Sequence, residues 1–173
     1  MDATTRDLVR RRAGERCESC RLRQKHSELI HHVEHIVAKQ HGGSEDPDNL
    51  ALACHRCNLH KGPNLTGIDP RTGEVVPLFH PRRNRWFDHF AFEGVRIDGI
   101  SAIGRATVHV LAMNDARRLE VRKILPRLAP WAIVSRSYGA LARNIPRVSA
   151  TPPPTASERT AEFRHCGIGR AHV

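Results

Sequence analysis

The sequence lacks a long apolar segment. No run of about 18 apolar residues occurs in its 173 positions, so the chain is predicted to contain no membrane-spanning helix. The first residues, MDATTRDLVRRR, also lack the apolar region of a secretory signal. We therefore expect a protein of the reducing cytoplasm, without a membrane partner.

Acidic residues are scarce relative to basic ones. The chain has 18 Asp and Glu against 28 Lys and Arg, which gives a formal net charge of +10. Cations gain free energy by displacing counterions from a phosphate backbone, so this balance favours an anionic partner such as nucleic acid. A solvated basic surface would give the same composition. The length suits one domain, or a small module with an extension, but not two ordinary domains.

Four of the five cysteines form two CxxC pairs, Cys17/Cys20 and Cys54/Cys57, with 33 residues between the pairs. Each pair can supply two thiolates from a tight turn, and four thiolates complete the tetrahedron that Zn²⁺ prefers. Buried free cysteines would leave the repeated spacing unexplained. A site with four thiolates has no open position, so we expect a structural zinc. Cys166 lies far from both pairs in the sequence.

The stretch HHVEHI, residues 31–36, places three histidines and a glutamate in a predicted strand. If the cysteines hold zinc, these histidines are not needed for it. Glu34 offers a hard oxygen suited to Mg²⁺, and a histidine such as His35 can accept a proton from water. Neighbours on a strand point to opposite faces, so these two can act together only where the strand ends, twists or bulges. We expect His31 and His32 to be structural or solvated.

These motifs resemble the HNH endonuclease family, which is built on the ββα-metal, or His-Me finger, fold of the α+β class. The family pattern is a CxxC knuckle, an acid-His pair, a GG loop, Asn-Leu, and a CxxC-Asn with a nearby lysine. It occurs here as CESC, VEHI, HGGSEDPDNL, CHRCN and Lys61. The likeness covers about residues 14–62, and residues 63–125 look like an extension found in one group of bacterial HNH proteins.

The resemblance implies a role for each matching residue. His35 matches the general base that activates water, and Asn49 matches the asparagine that organises the loop. Glu34 and Asn58 match the ligands of a catalytic divalent ion, Mg²⁺ or Mn²⁺. Glu replaces the commoner Asp, and Asn replaces a possible His. The implied activity is metal-dependent hydrolysis of phosphodiester bonds in DNA, which we expect to be double-stranded.

Several cations could position the phosphate backbone. We expect this role for Lys61, Arg82, Arg83 and Arg85, whereas a solvated basic face is the simpler alternative. A second cluster of arginines lies near the N-terminus. Its members are Arg10, Arg11, Arg12 and Arg16. The aromatic residues Trp86, Phe87 and Phe90 favour a small core beneath the extension over base stacking.

The chain divides into a basic helix, a module, an extension and a tail. The extension is expected to be irregular from Gly67 to Phe92 and then to form two short helices. Ser101 would cap the first, whose apolar face is formed by Ile103, Ala106, Thr107, Val110 and Leu111. Ala116 to Leu125 would form the second, which ends at Pro126 and sets Val121, Ile124, Leu125 and Leu128 at i, i+3, i+4, i+7 spacing. The tail is rich in Pro, Ser and Thr, which indicates disorder. Its last six residues, IGRAHV, read like a translated sequencing-adapter oligonucleotide, which indicates read-through. The predicted boundaries are 1–13, 14–62, 63–130 and 146–173.

Two other functions fit part of the pattern. A zinc-stabilised nucleic-acid-binding module that has lost catalysis would keep the cysteines and the positive charge. The presence of Glu34, His35 and Asn58 argues against it. A zinc protein that uses its knuckles as a protein-interaction platform would show no salt-dependent affinity for nucleic acid.

Overall fold

A computed structural model of the chain describes residues 1–124. Its helices are α1 (Ala3–Ala13), α2 (His55–Lys61), α3 (Trp86–His89), α4 (Ala102–Val110) and α5 (Ala116–Ile124). Its strands are β1 (His32–His35), β2 (Leu50–Ala53), β3 (Thr66–Ile68), β4 (Val75–Pro77), β5 (Phe90–Glu93) and β6 (Arg96–Gly99). Short 3₁₀ turns occupy Gln24–His26, Lys39–His41 and Pro47–Asn49.

The fold class is α+β, as predicted. The strands form three antiparallel hairpins, β1 with β2, β3 with β4, and β5 with β6. Within residues 1–124, no helix is long and apolar enough to cross a membrane. The predicted end of the second helix at Leu125, the extension as far as residue 130 and the tail at 146–173 lie outside the described residues.

The first helix follows from its capping residues. The side chain of Asp2 accepts a hydrogen bond from Thr5 N at 2.7 Å, and Gly14 ends the helix in the left-handed region with φ of 59°. Three arginines occupy the last turn, where cations are favourable. The predicted basic helix is therefore confirmed. It begins at Ala3, directly after its N-cap Asp2, and so includes residues before the basic stretch.

The β1–β2 hairpin forms the centre of the predicted module. Strand pairing places Val33 opposite Leu52 and His35 opposite Leu50. Leu50 and Leu52 are fully buried against Val9 of α1. Because side chains alternate along a strand, the alanines of β2 face the other way, toward α2 and the cysteines. The hairpin therefore separates an α1 side from an α2 side.

The extension is more regular than its sequence indicated. The segment DPRTGE closes the β3–β4 hairpin, and its Asp69 is fully buried. Both carboxylate oxygens of Asp69 accept hydrogen bonds from Arg105 of α4, at 2.8 and 2.5 Å. These hydrogen bonds lower the pKa of Asp69. Strands of only three or four residues show no clear alternation, so the sequence pattern did not predict them.

Helix α4 has the face that its spacing predicts. The side chain of Ser101 accepts a hydrogen bond from Gly104 N at 3.0 Å, which confirms the N-cap. Ala106, Thr107 and Leu111 are buried. A Cβ on Gly104 would lie 1.9 Å from His89 O, so this position admits only glycine where α4 crosses the preceding segment.

Helix α5 forms as predicted, but with a different buried face. Val121 and Ile124 are 38% and 75% exposed, so the expected apolar face is wrong for these residues. The buried side chains are Arg118 and Arg122. Their guanidinium groups donate to backbone carbonyls of the extension, which accounts for the burial of charged residues on this face.

Aromatic side chains join the extension to the first cysteine knuckle. Trp86 and Phe90 are buried, which confirms two of the three predicted core aromatics, whereas Phe87 is 63% exposed. The indole Nε1 of Trp86 donates a hydrogen bond to Ser19 O at 2.7 Å. Ser19 lies between Cys17 and Cys20, so this contact ties the extension to the knuckle.

Replacement of Trp86 by phenylalanine should destabilise the protein by about 2 kcal/mol, because Ser19 O would stay buried without its donor. Urea unfolding of the zinc-loaded protein measures this change. The exposed Phe87→Leu is the matched control and should stay within about 0.5 kcal/mol of wild type. Equal midpoints for W86F and wild type would contradict the assigned role of the hydrogen bond.

Candidate functional site

The four predicted cysteines form one buried cluster. Their Sγ atoms all lie within 4.8 Å of one another. The Sγ atoms of Cys20 and Cys54 are 3.7 Å apart, close to the edge of about 3.8 Å in a tetrahedron with Zn–S bonds of about 2.3 Å. Cys20 N donates to Cys17 Sγ, and Cys57 N donates to Cys54 Sγ, both at 3.5 Å. The cluster therefore fits a zinc ion.

Backbone hydrogen bonds hold each knuckle in place. Cys17 N donates to Leu22 O, and Arg21, which has φ of 65°, donates from its N to Cys17 O. Glu18 N donates to Leu52 O, which joins the first knuckle to β2. The second knuckle begins α2, because Cys54 is the N-cap of that helix. A metal in the cluster would thus be attached to both β2 and α2.

A buried cation completes the cluster. Arg118 Nη2 donates to Cys57 Sγ at 2.8 Å and lies 3.8 Å from Cys54 Sγ. Burial opposes the charge of Arg118, but the neighbouring thiolates outweigh this effect and raise its pKa. Among the thiols themselves, burial raises the pKa of Cys17, and the hydrogen bond with Cys17 lowers the pKa of Cys20.

Glu34 is a buried carboxylate on the α2 side of β1. It is 9% exposed, and burial raises its pKa to about 7, with Lys61 acting in the opposite direction. Within residues 1–124, its carboxylate makes no hydrogen bond or ion pair. A buried carboxylate without a partner is unfavourable unless it binds a proton or a cation. Such a group is therefore a candidate ligand for a hard metal ion.

Asn58 is fixed by its position on α2. It follows Cys57 directly, so the thiol cluster sets the start of the helical turn that carries it. The side chain is half-buried, and its amide makes no hydrogen bond within the described residues. The amide oxygen of Asn58 is thus available to a ligand.

His35 is the last residue of β1. The strand therefore ends where Glu34 and His35 would have to act on the same substrate, as predicted. Alternation along the strand places Glu34 toward α2 and His35 toward the loop that carries Glu45. His35 Nε2 is buried, has no hydrogen-bond partner within residues 1–124, and lies 3.4 Å from Glu45 Oε1. Glu45 pairs with Lys39 at 2.5 Å, and this contact lowers the pKa of Glu45 to about 2.

Asn49 closes the loop between β1 and β2. Its Oδ1 accepts a hydrogen bond from Val37 N at 2.9 Å, and its Nδ2 donates to Val37 O and Ser44 O at 3.0 and 2.9 Å. Its backbone O accepts from Ile36 N at 2.8 Å. Gly43 fits this closure because a Cβ there would lie 1.7 Å from Val37 O. Asn49 therefore fixes the chain directly after His35.

The remaining histidines of HHVEHI have other contacts. His31 is buried, and its Nε2 lies 3.0 Å from Leu22 O. His32 is exposed, and its Nε2 lies 3.4 Å from His55 Nδ1. Neither residue joins the thiol cluster. These contacts agree with the expectation that both are structural or solvated.

Two of the four predicted phosphate-binding cations have intramolecular partners. Lys61 is buried, and its Nζ donates to His35 O at 3.1 Å. Arg82 pairs with Glu18, and its side chain is 15% exposed. These contacts arise from tertiary packing, and the phosphate contact expected of all four cations stays a prediction. Arg83 and Arg85 are exposed and keep their cations at the surface.

Two residues of this region could not be predicted from the sequence. Arg118 contacts the thiol cluster from a helix about 60 positions away in the chain, and Glu45 lies beside His35. Nothing in the spacing of either residue distinguishes it from the other charged residues of the sequence, because both contacts depend on how separate segments pack.

Glu34→Gln should stabilise the zinc-loaded protein at high pH when no Mg²⁺ or Mn²⁺ is present. The folded-state pKa of Glu34 is raised, so its ionisation lowers the stability of wild type as pH rises from about 4.5 to about 7. The variant should gain up to about 3 kcal/mol at pH 8 and little at pH 4.5. Urea unfolding without added Mg²⁺ measures this difference, with the exposed Glu28→Gln as the matched control. Parallel pH profiles for E34Q and wild type would contradict the prediction.

Comparison with known proteins agrees with this geometry. Residues 17–64 match the sequence model of a family described as HNH endonuclease. No curated protein and no solved structure matches the chain. The matched segment begins at Cys17 and contains both knuckles, the β1–β2 hairpin and α2. Residues 17–64 are therefore similar to an HNH endonuclease domain.

Proposed function

We propose that this protein is a metal-dependent endonuclease that hydrolyses phosphodiester bonds in double-stranded DNA. The HNH domain suggests nuclease-type activity. The observation that carries the proposal is the buried carboxylate of Glu34, which makes no hydrogen bond or ion pair within residues 1–124 and directly precedes the proposed general base in the sequence. Unpaired buried ionisable groups are concentrated at functional sites.

Glu34 and Asn58 would hold the catalytic divalent ion, Mg²⁺ or Mn²⁺. Both offer oxygen ligands, and neither side chain has another hydrogen-bond partner among the described residues. A cation beside Glu34 would stabilise its ionised form and offset the effect of burial. When bound, the ion would neutralise charge on the scissile phosphate and on the departing oxygen.

His35 would act as the general base. Its Nε2 lies 3.4 Å from Glu45 Oε1. We assign Nδ1 to accept the proton of the attacking water, because the carboxylate of Glu45 favours a proton on Nε2. Glu34 and His35 leave β1 on opposite sides, so a phosphate at the end of the strand would have the metal ligand and the base on different sides. In-line attack needs this arrangement.

Asn49 and Lys61 would position the base. Asn49 holds the chain after His35 through Val37 and Ser44. Lys61 binds His35 O from the opposite side of the hairpin. Together they fix the backbone on both sides of the residue that must meet the water, which is the condition for efficient proton transfer.

The exposed cations Arg83 and Arg85 would contact the DNA backbone. The net charge of +10 supports such a partner. We further propose that the four cysteines hold a structural Zn²⁺. We also propose that the protein acts in the cytoplasm, because a reducing compartment keeps the four cysteines as thiols that can bind Zn²⁺.

His35→Ala should lower the rate of supercoiled-plasmid cleavage in Mg²⁺ by about 10²- to 10⁴-fold, because the general base would be lost. Gel analysis of nicked and linear product measures the rate, with the exposed His41→Ala as a histidine control. Equal rates for H35A and wild type would reject the assigned base. Tight, salt-dependent DNA binding by wild type without cleavage in Mg²⁺ or Mn²⁺ would instead support the inactive binding module.

Cys54→Ser should abolish zinc binding and unfold the domain, because a structural zinc site contributes directly to folding. Metal analysis should find about one zinc per chain in wild type, and circular dichroism should show loss of cooperative melting in the variant. Cys166→Ser is the matched control and should retain zinc. A C54S variant that melts like wild type would reject the structural role.

A further inference from the structure

Two arginines on one face of α5 are buried in the extension. Arg118 is 7% exposed and Arg122 is 6% exposed. Within residues 1–124, neither makes an ion pair with a carboxylate. Burial of a cation is costly unless another group compensates its charge. The structure therefore has to supply a negative partner of another kind.

That partner is the thiol cluster. One guanidinium nitrogen of Arg118 lies 2.8 Å from Cys57 Sγ and 3.8 Å from Cys54 Sγ. The other terminal nitrogen donates to Leu111 O at 2.6 Å and to Ala112 O at 3.3 Å. The planar guanidinium is thus held by carbonyls on one side and directed at sulfur on the other.

Arg122 strengthens the attachment of the same helix. Its guanidinium donates to Val95 O at 2.7 Å and to Met113 O, and it lies 3.2 Å from Asn114 Oδ1. None of these partners is a thiol. Arg122 therefore fixes α5 on the extension, whereas Arg118 is the side chain that reaches the cluster.

We propose that Arg118 is an outer partner of the zinc centre that compensates its negative charge and lowers the reactivity of the Cys57 thiolate. This inference depends on the zinc site of the proposed function. Zn²⁺ with four thiolates carries a net charge of −2, and the cluster is buried. A hydrogen bond and a cation at one sulfur would stabilise the thiolate in place and make it a weaker nucleophile.

The consequence is that the extension protects the metal. Cys57 precedes Asn58, so a thiolate that leaves the metal would also release the turn that carries a proposed catalytic ligand. Arg118 would slow this step from a helix outside the matched HNH segment. Its role is to position and shield, without contact with substrate.

The test compares Arg118→Met with Arg117→Met, an exposed neighbour on the same helix. Both proteins are loaded with zinc, and transfer of zinc to a chromogenic chelator in excess is followed. We expect R118M to release zinc about 10- to 100-fold faster, the usual effect of losing an outer-shell partner. R117M should match wild type.

A second readout separates this role from simple packing. Iodoacetamide labelling of the zinc-loaded protein, resolved by mass spectrometry, should increase in R118M at Cys57 more than at Cys17. In the Co²⁺-substituted protein, the thiolate charge-transfer band should move to longer wavelength, because the sulfur would lose its hydrogen bond. An unchanged band and unchanged labelling would leave Arg118 a packing residue and overturn the proposal.

The remaining outcomes are distinguishable. If R118M does not fold, Arg118→Gln decides, because it removes the charge and keeps a polar donor. Faster zinc release from R118Q supports the proposal, and wild-type release overturns it. If wild type and R118M each bind one zinc and release it at equal rates, the proposed role of Arg118 is rejected and the zinc site is retained. A wild-type protein that binds no zinc rejects the zinc site itself.

Discussion

The four-thiol cluster is the constraint on which the rest of this structure depends. It joins the knuckle at residues 17–20 to the junction of β2 and α2, and Arg118 brings α5 to the same point. These segments are short and bury little apolar surface individually. A zinc ion in this cluster would therefore replace part of the hydrophobic core that so small a module cannot build.

The candidate active site lies on elements that are directly connected to this cluster. Asn58 follows a cysteine of the cluster, and Glu34 belongs to the strand that pairs with β2. The cluster thus limits the motion of the two proposed ligands, because only a few residues separate each of them from it or from its strand partner. Without a cation beside it, the buried and ionised Glu34 lowers the stability of the folded state. Such a cost is common where a functional site needs an ionisable group in the protein interior.

Local patterns predicted the elements whose signals are local. Ser101 and the apolar spacing of α4 predicted that helix and its buried face, since capping and periodicity act within a few residues. The hairpins of the extension were missed because their strands are too short to show alternation. The face of α5 was predicted wrongly because the partners of its buried side chains are backbone carbonyls rather than apolar groups. Arg118 donates to Leu111 O, just before the helix, and Arg122 donates to Val95 O in the loop between β5 and β6.

By itself, the sequence determined which groups could bind metal and act on a phosphodiester, because ligand chemistry belongs to residue type and the CxxC spacing is local. Only the tertiary structure decided which cations remain free. Lys61 and Arg82 have intramolecular partners, whereas Arg83 and Arg85 stay at the surface. A long charged side chain takes its partner from whatever group packing brings within reach, and that group is set by segments far away in the chain.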